Sequence, residues 1–502
     1  MATANQFCDD YLLLNPKEAS FLDLFGLLFS SELEKRRFID CPERQQQGNF
    51  RQRWLIFISV LVQKLLLSGT KPMALVGNAL QMCLNLLSSN GGLFKLLLNL
   101  VTGKFVWPDK SSETFTSVLA NVDSRFELDS SIEPDDRKYK ASLSMMASKL
   151  SYENEAFIKT KITQHWKMRF LKFYNFWNDF VYPPPRIHLS LVTNLRLLCF
   201  TDYQERFSTQ AFMLQDTQAN PNLIVVAFRG TAPFDADAWR TDFDISWYQL
   251  ENVGKAHSGF MKALGLQKNQ GWPKEIQQGS DRQHQFAYYT IREKLKDVLQ
   301  KNQEAKFILT GHSLGGALSI LFAAVLVLHE EEWLLERLEG VYTFGQPRVG
   351  DEKFGEFMKE RLREFDVKYF RYVYCNDMVP RIPYDDKALL FKHFGPCLYF
   401  NSCYRGQVLS EEPNKNYFSM LWVLPKNMNA IWELVRGFIM PYTKGPDYKE
   451  GWFLRMWRMI GLVVPGLSAH SPQDYVNSTR LGSLPSHLQP QDPIHQHQLK
   501  TD

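Results

Sequence analysis

The sequence predicts an α/β protein built on a mostly parallel central sheet with helices on both faces. Two observations carry this expectation. Apolar strand-like runs, LIVVAFRGT (223–231), KFILTGHS (306–313), VYTFGQP (341–347) and KYFRYVYCNDMVP (368–380), alternate with helical stretches. Nearly continuous apolar strands of this kind belong to a sheet buried on both sides. Between KFILT and the helical run GGALSILFAAVLVL stands Gly311-His312-Ser313-Leu314-Gly315, a serine flanked by glycines at a strand-to-helix junction. The chain has 502 residues, 45% of them hydrophobic and 22% charged, which fits a large globular core and excludes collagenous, disordered and polytopic membrane classes.

Lys and Arg number 58 against 54 Asp and Glu, a formal net charge of only +4, so no global field favours nucleic acid as a partner. Seven scattered cysteines, an odd number without CxxC or Cys/His spacing, read as reduced thiols and give neither a disulfide framework nor a zinc site. Asp9 and Asp10 stand where a secretory signal would need basic residues before an apolar run, so synthesis in the cytosol without secretion is expected.

Along the chain, residues 1–140 read as a helical, lipid-associating extension. The run WLIFISVLVQKLLL (54–67) is shorter than the roughly 20 residues of a spanning helix. From 74 to 101, polar or small residues recur three and four apart at Asn78, Gln81, Asn85, Ser88, Gly92, Lys95 and Asn99, drawing one narrow stripe along a helix that is otherwise mostly apolar. Such a helix suits insertion into a lipid monolayer, the core of an all-α domain, or a bilayer span. Residues 104–140 turn polar and read as a surface linker. Helix then continues to about 180, where Pro183, Pro184 and Pro185 end it. Residues 141–480 form the expected catalytic unit, and 481–502, rich in Pro, Gln and His, read as a disordered tail.

A G-x-S-x-G turn between strand and helix lifts its serine above the sheet, and the helix start offers the Leu314 N–H to a developing oxyanion. A serine nucleophile needs a base, and the base an orienting carboxylate, in the order Ser, Asp, His. Asp377 follows the strand FRYVYC at its carboxyl end, where sites of such sheets lie. Downstream histidines are His393, His470, His487, His495 and His497. The last three fall in the tail, and His393, beside the strand-like FGPCLYF, suits a structural role. His470, in the loop AHSPQDY, is the favoured base.

These residues resemble the fungal-type, class 3 triacylglycerol lipases of α/β-hydrolase fold. The resemblance rests on VVAFRGT (225–231), His257-Ser258-Gly259-Phe260, TGHSLGGAL (310–318), TFGQPRVGD (343–351), CNDMVPRIP (375–383) and AHSPQDYV (469–476). LSYENEAF (150–157), FGPCLYF (394–400) and the long N-terminal region look most like the plant oil-body lipases. The resemblance implies Ser313 as nucleophile, Asp377 as orienting acid, His470 as general base and acid, and Thr231 and Leu314 as the oxyanion hole, with no cofactor or metal. It also implies a lid after Thr231, in APFDADAWRTDFDISWYQ, with Phe234, Trp239, Phe243 and Trp247 as its apolar contacts.

The insertion 409–466 gathers Trp422, Trp432, Trp452 and Trp457 with Tyr417, Phe418, Phe438, Tyr442, Tyr448 and Phe453, interleaved with Lys415, Lys426, Arg436, Lys444, Lys449, Arg455 and Arg458. Two roles suit it: rings and cations meeting a phospholipid-covered surface, or a cap over the acyl pocket. The expected function is hydrolysis of triacylglycerol esters at the lipid–water interface of a lipid droplet, on its phospholipid monolayer, facing the cytosol. The alternatives are a phospholipase or galactolipase with the same triad, and a non-catalytic droplet coat.

Overall fold

A computed structural model describes residues 8–29, 33, 36–42, 49–134, 136, 138–176, 209–266, 286–383, 385, 391–417, 419–445, 448 and 450–483. The prolines at 183–185, Cys199 and the tail with His487, His495 and His497 lie outside them, as do Phe418 and Lys449. Twelve strands are, in chain order, β1 (Cys8–Leu14), β2 (Ile39–Asp40), β3 (Arg169–Phe176), β4 (Thr209–Asp216), β5 (Leu223–Phe228), β6 (Trp247–Leu250), β7 (Gly254–His257), β8 (Lys306–His312), β9 (Leu338–Phe344), β10 (Lys368–Tyr374), β11 (Cys397–Phe400) and β12 (Gly406–Leu409). Eight form one sheet in the order β12-β11-β10-β9-β8-β5-β4-β3. Pairing from β5 through β11 is parallel, while β3, β4 and β12 add antiparallel edges.

The mostly parallel sheet is therefore as the alternating pattern predicts. Two buried clusters cover its faces, one around the elbow helix Leu314–Leu328, buried through Leu326, the other around the helix Tyr139–Leu150. The expected helix to about 180 stops early. After the short helix Glu155–Thr160 and one further turn, RFLKFYNF runs as β3 along β4, since its aromatic residues pack well on a pleated edge.

The N-terminal region is not helical throughout. CDDYLLL is a strand, pairing Tyr11 with Tyr248 of β6 in a second, four-stranded sheet of order β2-β1-β6-β7. The apolar runs at 54–67 and 74–101 do not divide as their spacing suggests. One helix of 40 residues, Phe50–Ser89, runs through the first and over half of the second with Pro72 inside it, capped by the Asn49 side chain on the Gln52 N–H. It ends at Asn90, where Gly91 and Gly92 take positive φ, and a separate helix, Leu93–Val101, follows.

By length and composition the long helix could cross a membrane. Several of its polar residues, Ser59, Gln63, Thr70 and Asn85, are nevertheless buried. The Asn85 side chain both accepts from the Thr116 N–H and donates to its carbonyl, each at 2.8 Å. Leu65, Leu75 and Val76 face out, as do Leu93, Phe94, Leu97, Leu98 and Val101 beyond the turn. Part of the helix thus turns polar groups inward and leucines outward, the opposite of an ordinary surface helix.

Candidate active site

The strand-to-helix turn after β8 holds Ser313 at φ 59, a left-handed conformation that a non-glycine residue adopts only under constraint from its surroundings. The glycines beside it admit the crossing. A Cβ on Gly311 would lie 2.1 Å from the Gly315 carbonyl carbon, and one on Gly315 would lie 2.2 Å from the Phe228 carbonyl oxygen. The Ser313 N–H is anchored on the Phe344 carbonyl at 2.8 Å.

Asp377 follows β10, and His470 ends the turn Ser468–His470, 93 residues later. The intervening insertion folds out and returns the chain. His470 Nε2 lies 2.8 Å from Ser313 Oγ, and its Nδ1 lies 2.7 Å from Asp377 Oδ2. The three side chains thus form one hydrogen-bonded line, all of them buried. Asp377 Oδ1 accepts from the Val379 N–H, and Oδ2 also accepts from the Tyr475 hydroxyl. Burial and the adjacent Asp377 carboxylate push the Tyr475 phenol up, so it stays a donor. His393 is elsewhere: it is buried, its Nε2 donates to the Pro380 carbonyl at 2.7 Å, and it faces Glu412.

His312, inside the elbow, was not singled out as functional by its sequence context, yet it holds the histidine loop. Its Nε2 donates to the His470 carbonyl at 3.1 Å and its Nδ1 accepts from the Tyr152 hydroxyl at 2.8 Å. Burial drives its pKa well below the usual histidine range, which keeps the ring neutral and fixes this pattern. Tyr475 was equally silent, although its place in the first turns of the helix Pro472–Arg480 brings it back over Asp377.

Thr231 and Leu314 stand beside the line. Leu314 opens the elbow helix, so its N–H is among the first donors that lack an intrahelical acceptor. The Thr231 hydroxyl donates to Asp242 Oδ2 at 2.9 Å. Asp242 belongs to the short helix Ala236–Phe243, where the lid is expected, and burial pushes its carboxyl up to about 7. Trp239 and Phe243 of this segment line a cavity of about 320 Å³ that reaches His470 and Thr231. Trp247 does not belong to a mobile lid: it is buried in β6, with the Lys255 ammonium 3.7 Å from its ring centroid.

A class 3 lipase family model matches residues 225–387. The triacylglycerol lipase OBL1 of Arabidopsis thaliana is 40% identical, the alignment covering 94% of this chain and 95% of that protein. The chain belongs to the class 3 lipases. Another member, triacylglycerol lipase OBL1 of Nicotiana tabacum, is 44% identical over 86% of this chain and 84% of its own. More distantly, phospholipase A1-IIbeta of Arabidopsis thaliana is 29% identical over 49% of this chain and 55% of that one.

In this class 3 lipase the insertion departs from the sequence reading in its charges. Its rings are largely outside: Trp422, Trp432, Phe438, Tyr442 and Trp452 are exposed, on and around the helices Val423–Lys444 and Trp452–Val463. Its cations mostly are not. Arg436 and Arg458 are wholly buried against Asp474, Glu433 and Glu450, and Lys426 is buried with its ammonium on the Tyr417 carbonyl. Arg455 lies over the Phe438 ring. Internal carboxylates hold the two buried guanidiniums, because a buried cation needs a paired anion. Trp457, Val464 and Leu467 also line the cavity, so the insertion caps the site as well as presenting rings outward. Among the described residues, no group of three or more His, Cys, Asp or Glu could hold a metal ion.

Proposed function

We propose that this protein is a triacylglycerol lipase working by a Ser-His-Asp triad at the surface of lipid droplets. The observation that carries the reading is the Ser313–His470–Asp377 line, at 2.8 and 2.7 Å, opening on an apolar cavity. His470 Nε2 takes the Ser313 proton as Oγ attacks the acyl carbonyl. Asp377 accepts from Nδ1–H and stabilises the imidazolium, with Tyr475 holding the carboxylate in place. The backbone N–H groups of Leu314 and Thr231 stabilise the oxyanion, the Thr231 hydroxyl being engaged by Asp242. The imidazolium then protonates the departing glycerol oxygen, and water, activated by the same histidine, releases the fatty acid from Ser313.

The surface supports the location. The outward leucines of 65–101 and the rings of 420–464 leave many large apolar side chains exposed, as a lipid-contacting surface requires, and the OBL1 relatives are themselves named triacylglycerol lipases. Residues 1–140 would be the region that associates with the phospholipid monolayer facing the cytosol, residues 141–480 would carry the chemistry, and 409–466 would serve as both cap and contact. The phospholipase A1 relative favours one alternative, phospholipid hydrolysis by the same triad.

The test is fatty-acid release by wild type and Ser313→Ala on emulsified long-chain triacylglycerol and on phospholipid vesicles. Triacylglycerol cleavage that falls by at least about 10³-fold in the variant is expected, leaving only a residual rate. Activity confined to vesicles would move the assignment to a phospholipase, and a folded wild type inactive on both would overturn it.

A further inference from the structure

We propose that Leu66 and Met73 of the long N-terminal helix form one wall of the acyl-binding cavity and determine its acyl-chain-length selectivity. This rests on the lipase reading above and extends it to a helix whose composition suggests only attachment to lipid.

Ser59, Gln63, Leu66, Thr70, Met73 and Gly77 follow one another at spacings of four and three, which places them on a single stripe of the helix Phe50–Ser89. Three residues of that stripe are fastened to the segment where the lid is expected. The Ser59 hydroxyl donates to the Phe243 carbonyl at 2.8 Å. Gln63 Nε2 donates to Asp244 Oδ1 at 3.4 Å. At the far end Gly77 lets Phe234 approach so closely that a Cβ there would lie 2.6 Å from the Phe234 Cβ.

Between these attachments Leu66 and Met73, two helical turns apart, line the cavity that reaches His470 and Thr231. Its other walls are carbon-rich too, with Trp239 and Phe243 from the lid and Trp457 from the insertion. At about 320 Å³ it lies at the small end of ligand pockets, so the side chains on the helix wall limit the length of chain admitted. The fixed ends matter, because a wall free to move would not discriminate.

An apolar pocket discriminates a single methylene by about 10–200-fold, so a bulkier wall has a measurable effect. The experiment uses the full-length protein and p-nitrophenyl esters of butyrate, octanoate and palmitate in detergent. Leu66→Trp and Met73→Trp are expected to lower the palmitate-to-butyrate ratio of kcat/KM at least tenfold, whereas Leu65→Trp, on the exposed side, leaves that ratio at the wild-type value. A ratio within twofold of wild type in both cavity variants overturns the proposal.

A second measurement on wild type does not depend on the variants folding. A fluorophosphonate with a sixteen-carbon chain and a terminal diazirine attaches to Ser313, forming the Oγ–P bond with loss of fluoride. On irradiation, cross-links to peptides containing Leu66 or Met73 are expected, and cross-links confined to other segments refute the wall. Failure of wild type to react with the probe at all would instead count against the lipase reading itself.

Discussion

Asp474 offers the sharpest test of how the insertion is joined to His470, the proposed base. It lies four residues beyond His470, in the helix Pro472–Arg480, and its Oδ1 accepts from Tyr404 Oη at 2.8 Å, Arg458 Nη2 at 3.0 Å and Arg436 Nη2 at 3.1 Å. Oδ2 accepts from Arg458 Nη1 at 3.3 Å. Arg436 and Arg458 come one from each of the two ring-bearing helices, so a single carboxylate ties both to the histidine segment. Asp474→Ala leaves the two buried guanidiniums with Glu433 and Glu450 as their carboxylate partners, and burial already pushes Glu433 toward its neutral form. Removing one member of a buried ion pair costs about 3–5 kcal/mol. At about 2 °C per kcal/mol for a large chain, the melting temperature should fall by roughly 6–10 °C. Ester hydrolysis at 20 °C, where the variant is still folded, should fall as well, because the segment that seats His470 has lost its tether. Thermal and urea unfolding measure the first, and the rate on a soluble ester the second. Replacing charge and partners together, in Asp474→Leu with Arg436→Met and Arg458→Met, should recover part of the stability. A stability loss below about 1 kcal/mol in Asp474→Ala would refute the tether.

Asp242 titrates at about 7 in the folded protein because of burial, well above the roughly 3.9 of an unfolded aspartate. Its neutral form is the one the fold tolerates, so stability is full below about pH 4 and lost as pH rises through 7, by up to ~4 kcal/mol. The melting temperature of wild type should therefore drop between pH 5 and 8 relative to Asp242→Asn. Parallel curves for the two proteins would contradict this. Gly77→Leu should force the lid from the long helix at a cost of about 1–3 kcal/mol and reduce the rate advantage of emulsified over monomeric substrate. Equal advantage in both proteins would show that the lid does not lean on the helix. Trp452→Asp and Val463→Asp, at positions 73% and 82% exposed, should weaken flotation with oil droplets several-fold while reducing fluorophosphonate labelling far less. Parallel losses in both assays would argue for misfolding instead.

The sheet, and the positions of Ser313, Asp377 and His470 that the structure places in one hydrogen-bonded line, were legible because local signals suffice for both. Apolar runs mark β5, β8, β9 and β10, and the elbow glycines mark a junction that only one local geometry satisfies. Asp377 and His470 could be named from their loops, and the structure brings them to Ser313 in one line. What could not be read depends on contacts distant in sequence. β1 pairs with β6 across more than two hundred residues, and Tyr11 alone gives no hint of Tyr248. Arg436 and Arg458 resemble surface cations until Asp474, Glu433 and Glu450 are seen to enclose them. The polar stripe at Gln81 and Asn85 has the same period whether it faces water or Thr116.

The long helix stands between two apolar surfaces. One flank carries outward leucines and another carries Leu66 and Met73 to the cavity at His470, so the thickness of a single helix, about 10 Å, separates the exposed apolar face from the cavity. On the proposed droplet surface, an acyl chain would have its tail still dissolved in oil while its carbonyl stood at Ser313. The liberated fatty acid would then return to a hydrocarbon phase without crossing bulk water.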